Sequence, residues 1–249
     1  MPETIKVHAF PLTEPNAPSS SGFCQKLDSY LRATSIPYEN VPSYPFSAPK
    51  GKLPYITTPK GEVIPDSHFI IQHLKASGVS KDLDAELTPA QKGDSRAWQG
   101  WLEEVVYPCM VYERWVDDAG YAQTAAGFNT IPWPFRAIVP WYFRRRITGR
   151  LKAQGTGQHS LEEVHTLEKE FVDALDAKFS DGREYFHQTA TPTEVDVFIY
   201  GFLVNGLSQR SNAYFNKLVL GKVAIKGFVR RMLERLHPEY EGIRKMLNE

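Results

Sequence analysis

The apolar periodicity of this chain changes character near residue 80, and that change limits the folds open to it. Up to residue 78, short alternating runs are interleaved with helical ones; beyond residue 82 nearly every segment repeats its apolar residues at helical spacing. TIKVHAF (4–10) alternates as a strand, and the Pro/Ser/Asn-rich PLTEPNAPSSSG follows it as a loop. Cys24, Leu27, Tyr30 and Leu31 predict a helix over 23–34, with Lys26, Asp28 and Arg32 on its opposite side. IPYENV, PYITTP and EVIP predict three more strands, the last two joined by a turn at Lys60-Gly61. The next helix is capped by Asp66 or Ser67, buries Ile70, Ile71 and Leu74, and ends at Gly78. An order of β-α-β followed by β-β-α calls for a mixed sheet with helices packed on it.

The second part reads as all helix. Thr88 before Pro89 caps a helix whose apolar stripe continues through Trp101, Leu102, Val105, Val106 and Trp115. Ser160 with Glu163 forms a capping box, and Thr193 with Asp196 plays a similar part ahead of VDVFIYGFLVNGL, a segment apolar all round and so expected at the centre of a core. The predicted organisation is an α/β domain over 1–78, a linker over 79–87 and an all-α domain over 88–249.

Lys plus Arg and Asp plus Glu each total 29, so no whole-protein field draws the chain to nucleic acid or to acidic membranes. The two cysteines, Cys24 and Cys109, lie far apart in sequence, which with the absence of a leader or a long apolar run predicts a soluble cytoplasmic protein. FRAIVPWYFRRRITGRLK (135–152) mixes aromatics with six basic residues, but prolines at 132, 134 and 140 are expected to interrupt any long amphipathic helix there; membrane contact is not expected. The histidines are scattered and no CxxC, HExxH, P-loop or G-x-S-x-G occurs, so no metal is expected.

One segment points to a ligand. A proline entering a strand, as Pro54 does, can take a cis peptide that leaves the backbone N–H and C=O of Leu53 outside the sheet. Twelve residues on, a helix start bearing Asp66 and Ser67 offers N–H and hydroxyl groups to a carboxylate and an acid to an ammonium. Together they suit a small zwitterionic peptide, although a plain helix cap explains Asp66 and Ser67 as well.

APKGKLPYI followed by PDSHFIIQHL resembles the glutathione site of the glutathione transferase superfamily, and ATPTEVDVFIYGFL resembles that family's second-domain capping box and core helix. The resemblance implies the glutathione transferase fold, an α/β thioredoxin-like N-terminal domain plus an all-α C-terminal domain. SGFCQKLDSYLRATSIPYENV, DLDAELTPAQKGDSRAWQGWLEE and RRRITGRLKAQGTGQHSLEEV are similar to the failed-axon-connections and metaxin-like branch, in which metaxins act in mitochondrial protein import. The resemblance further implies that Leu53, followed by the cis-proline Pro54, pairs with the cysteinyl backbone of glutathione and that Asp66 and Ser67 bind its γ-glutamyl end; Lys52 either reaches its glycyl carboxylate or is a solvated loop lysine.

In the family the sulfur lies at the start of helix 1, here SSSGFCQK. Ser21 aligns with the sulfur-facing position and Cys24 with the second cysteine of a Cys-Pro-Phe-Cys pattern, Gly22 replacing the proline; Ser20, Ser21 and Cys24 all remain open for the sulfur contact. A serine hydroxyl stabilises a thiolate but forms no mixed disulfide, which favours transfer to an electrophile over thiol exchange. Capping accounts for Ser21, and apolar packing for Cys24, equally well. The resemblance implies glutathione as co-substrate, a small hydrophobic electrophile as acceptor and homodimers as the usual assembly. Tyr107, Met110, Tyr112 and Trp115 are the expected wall of an acceptor pocket between the domains. A non-catalytic, metaxin-like binding or assembly protein, and a thiol transferase acting through Cys24, are the competing expectations.

Overall fold

A computed structural model describes residues 4–12, 14–129 and 132–248; the first three residues and Thr13 of the loop reading lie outside it. The chain forms two compact units, one made of Met1–Arg96, Gly182–Ser208 and Gly227–Glu249, the other of Ala97–Asp181 and Gln209–Lys226. These units cut across the boundary expected near residue 80, because two late segments group with the sheet.

In the first unit, β1 (Ile5–Ala9), β2 (Tyr38–Pro42), β3 (Tyr55–Thr57) and β4 (Val63–Pro65) form one sheet in the order β2-β1-β3-β4. β1 runs parallel to β2 and antiparallel to β3, and β3 antiparallel to β4. The parallel pair requires a crossover, supplied by α1 (Gly22–Ala33). The hairpin turn is closed by the Gly61 N–H on the Thr58 carbonyl at 2.8 Å, with Gly61 at φ 82°, a conformation open to glycine. α2 (Ser67–Ala76) follows β4 and buries Ile70, Ile71 and Leu74. This is the thioredoxin-like sheet.

The long apolar segment forms α8 (Glu194–Ser208), buried along almost its whole length and packed against α1. Gly201 makes the approach close: a Cβ there would stand 3.0 Å from Lys26 Cα. Asp196 accepts the Thr193 N–H and hydroxyl at 2.9 and 2.6 Å and the Phe186 N–H at 2.7 Å, fixing where the helix begins.

The second unit is helical. α3 (Pro89–Trp101), which starts in the first unit, leads into a π-helical turn at Leu102–Val106 and then α4 (Tyr107–Trp115). The π-turn precedes Pro108, whose missing N–H interrupts the ladder; the Glu104 carbonyl, four residues earlier, accepts Gln154 Nε2 at 2.9 Å. α5 (Asp118–Ala126), α6 (Phe135–Gln154), α7 (Leu161–Phe179) and α9 (Ala213–Leu220) complete the unit, and α10 (Val223–Leu236) and α11 (Glu241–Asn248) end the chain. Trp98, Trp101 and Phe171 form an aromatic cluster with ring centroids 5.3 to 5.7 Å apart.

Pro140 does not break the basic-aromatic segment, contrary to the reading from its prolines. α6 runs twenty residues through it. One ladder bond is lost at a proline, but Arg144 anchors the helix by donating to the Trp115 and Val116 carbonyls at 3.0 and 2.8 Å and pairing with Asp118 at 2.6 Å. Among the described residues no helix is long and apolar enough to cross a membrane.

Candidate functional site

Strand register brings the residues singled out around Leu53 and Asp66 to one end of the sheet. His8 of β1 stands opposite Tyr55 of β3, and Tyr55 opposite Pro65 of β4. The C-terminal end of β1, the start of β3 and the end of β4 therefore lie side by side. The loop leaving β1 leads to Ser21 at the tip of α1, Leu53 and Pro54 immediately precede β3, and Asp66 and Ser67 immediately follow β4.

The Leu53-Pro54 peptide is cis. Both residues are buried, and Lys52 beside them is exposed. Asp66 caps α2: its Oδ1 accepts the His68 N–H at 2.9 Å, and its own N–H donates to the Pro54 carbonyl at 3.2 Å. It does so at φ 79°, in the left-handed region that β-carbon residues seldom occupy, and strain of this kind collects at binding sites. Ser67, the first helical residue, is buried.

Ser21 is the N-cap of α1. Its Oγ accepts the Cys24 N–H at 3.4 Å, its own N–H donates to Ser19 Oγ at 3.3 Å, and it is 8% exposed. Ser20, its neighbour, is half-buried. Cys24 is 3% exposed, and burial pushes its thiol up to about 11, against which hydrogen bonds from Ser21 and its neighbours act only in part. It is a thiol, not a thiolate, at neutral pH.

The loop ahead of Ser21 is held by groups that sequence reasoning missed. Asn205 of α8 donates to the Ser19 carbonyl at 2.6 Å, and the Ser19 N–H donates to Gln25 Oε1 at 2.8 Å. Deeper along α1, His237 makes a 2.6 Å contact with Asp28 through Nε2 and a 3.0 Å contact with the Tyr200 hydroxyl through Nδ1. Burial lowers the His237 pKa despite Asp28, so the imidazole is neutral, donating to Asp28 and accepting from Tyr200. Burial opposes ionisation of Asp28 too, but His237, Tyr38 and Arg32 outweigh it and hold that carboxyl below its usual range. A polar residue inside an apolar helix, Asn205 within VDVFIYGFLVNGL, was the available signal that something there needed a partner.

A cavity of about 320 Å³ opens beside β1 and β2, bordered among others by Phe10, Ser19, Cys24, Asp28, Asn40 and Tyr240. None of Leu53, Pro54, Asp66 or Ser67 borders it.

Tyr107, Met110, Tyr112 and Trp115 all lie on α4. At about 100° per residue they do not share a face, Met110 and Tyr112 pointing about 160° apart. Met110 is 0% exposed in the core of the second unit. Trp115 packs on Tyr121, Phe128 and Phe143 at 6.4 to 6.5 Å, and Tyr107 lies under the Arg114 guanidinium.

Comparison with known proteins bears on the fold. The family described as "Glutathione S-transferase N-terminal domain" matches residues 22–120. "Failed axon connections" of Drosophila melanogaster is 31% identical over 97% of this chain and 60% of its own length, and human "Metaxin-1" is 29% identical over 70% of this chain and 39% of its own. The chain thus spans less than two thirds of the length of either relative. Among solved structures, glutathione transferase GSTFuA3 from Phanerochaete chrysosporium superposes with a TM-score of 0.65 at 15% identity, covering 93% of this chain and 97% of that one. A glutathione transferase family member from Pseudomonas fluorescens, solved with two glutathione molecules bound, gives 0.59 at 16% identity, covering 99% of this chain and 93% of that one. The thioredoxin-like sheet, the helical remainder and these similarities support a metaxin-like branch of the glutathione transferase superfamily.

Proposed function

We propose that this protein binds glutathione at the end of its sheet and directs the bound thiolate at a small apolar electrophile. The observation that supports the reading is the strand register, which sets the start of β3, next to Leu53, beside the end of β4, next to Asp66-Ser67, and beside the end of β1, from which the chain runs on to Ser21. In this scheme the Leu53 backbone pairs with the cysteinyl unit, Asp66 takes the γ-glutamyl ammonium, and the α1 dipole with the Ser21 hydroxyl stabilises the sulfur anion. The sulfur forms a C–S bond while the leaving group departs with its electron pair. A downward shift of one or two pKa units, worth about 1.4 to 2.7 kcal/mol, suffices to populate thiolate near neutrality. We take the working form to be a cytoplasmic homodimer. Calorimetric titration with glutathione should show binding, and an aryl halide should be conjugated with kcat/KM falling about tenfold to a hundredfold in Ser21→Ala, the loss of one hydrogen bond to a charged group. No binding heat, or conjugation indifferent to Ser21→Ala, would refute it.

One observation favours a second reading, a binding or assembly protein without turnover. The Ser21 hydroxyl already accepts the Cys24 N–H and is largely covered. Glutathione binding with no conjugation, unchanged in Ser21→Ala, would select it. Thiol exchange through Cys24 is opposed by the burial that keeps that sulfur protonated.

A further inference from the structure

The second unit holds a polar cluster that the glutathione reading does not use. Glu113 on α4 and His165 and Glu168 on α7 each present one ligand atom, and these atoms all lie within 4.8 Å of one another. His165 Nε2 and Glu113 Oε1 are 3.6 Å apart. Glu168 is 0% exposed, and neither of its carboxylate oxygens has a hydrogen-bond partner among the described residues. A buried carboxyl left in this way costs several kcal/mol unless something positive or protic meets it.

We propose that Glu113, His165 and Glu168 form a binding site for a single divalent cation of the zinc class. Paired helices in a bundle build metal sites in this manner, with carboxylate and imidazole ligands spaced three apart on one helix and a carboxylate from its neighbour. His165 and Glu168 have that spacing, and α4 packs on α7. The surroundings hold the ligands in orientation: Glu113 accepts Asn212 Nδ2 at 3.0 Å and the Tyr214 N–H at 3.2 Å, and the His165 ring stacks on Tyr214 at 3.8 Å.

The charges also leave room for a cation. Arg114, 5% exposed, donates to Asn212 Oδ1 at 2.6 Å and supplies one positive charge against two carboxylates. Cys109 nearby stays a thiol, its pKa raised by burial and by the same two carboxylates. One imidazole with two carboxylates suits zinc better than calcium or magnesium, which prefer all-oxygen shells. Zinc ligands at about 2.0 to 2.2 Å stand about 3.3 Å apart in a tetrahedron, so Glu113 and His165 at 3.6 Å are nearly spaced and Glu168 closes by at most about 1.5 Å. His165 is part exposed and gives the ion and a fourth, solvent-derived ligand access.

The test uses the full chain without a histidine tag, stripped by chelator and titrated with Co²⁺ as a spectroscopic probe, then with Zn²⁺. One Co²⁺ per chain should give the visible absorption of a low-coordinate ion, Zn²⁺ should displace it, and Zn²⁺ should raise the thermal midpoint. Glu168→Gln should weaken Co²⁺ binding by more than about a hundredfold, beyond the usual effect of losing an outer partner. His165→Ala, at a part-exposed position, should do the same and decides the matter if Glu168→Gln fails to fold. No visible band, a band unaltered by His165→Ala, or no Zn²⁺ effect on the midpoint would overturn the assignment and leave a carboxyl pair sharing a proton.

Discussion

The Asp66 N–H donates to the Pro54 carbonyl at 3.2 Å, tying the start of α2 to the start of β3. Because Asp66 both caps the helix and sits at φ 79°, its substitutions separate two effects. Asp66→Ala loses the cap and keeps the strained backbone, and should lower stability by about 1 to 2 kcal/mol in urea unfolding. Asp66→Gly relieves the backbone and should cost less. Both should weaken glutathione; equal affinity with wild type would remove Asp66 from the site.

Cys24 should resist alkylation. With the thiol 3% exposed and pushed up to about 11, iodoacetamide should label it only under denaturing conditions, and mass spectrometry of the intact chain reads this directly. Rapid labelling of Cys24 in native protein at neutral pH would revive a thiol-exchange role.

His237 makes stability depend on pH. Its folded pKa lies below the ordinary value near 6.5, so the unfolded chain binds a proton that the native imidazole refuses. Its stabilising contribution is present above about pH 6.5 and declines as pH falls from there towards the folded pKa. His237→Gln should cost about 1 to 3 kcal/mol at pH 8, by unpairing Asp28 and Tyr200, and the gap to wild type should narrow towards pH 5. A constant gap across that range would contradict the neutral assignment.

Gly120 is held against α4. A Cβ at this position would stand 1.9 Å from the Glu113 carbonyl oxygen and 3.1 Å from that of Ser211. Gly120→Ala should therefore destabilise by about 3 kcal/mol or more, at the upper end for overpacking, seen as a lower urea midpoint. Gly201→Ala, with its nearest atom at 3.0 Å, should be milder. Wild-type stability in Gly120→Ala would mean α4 and α5 are further apart than described.

What the sequence disclosed was whatever acts over a few residues. The Ser160–Glu163 capping box is present in both directions, and Asp196 meets Thr193 as expected, because a cap and its partner are three positions apart. The strands and the Gly61 turn were likewise written in local alternation and a glycine. Arg144 carrying α6 through Pro140 was hidden, since its acceptors Trp115 and Val116 lie at the end of another helix, far off in sequence. The covering of Ser21 and the gathering of Glu113 with His165 and Glu168 were hidden for the same reason: burial and long-range pairing are properties of packing, and no spacing encodes them.

The hold of Asn205 on the Ser19 carbonyl spans 186 positions, and that of His237 on Asp28 spans 209. During synthesis the sheet and α1 emerge from the ribosome long before these clasps. The nascent chain therefore carries the loop ahead of Ser21 unfastened, with the apolar flank of α1 awaiting α8, until Asn205 and then His237 have been made. Synthesis of α8 and of the segment bearing His237, more than formation of the strands, sets the moment at which this end of the sheet is clasped.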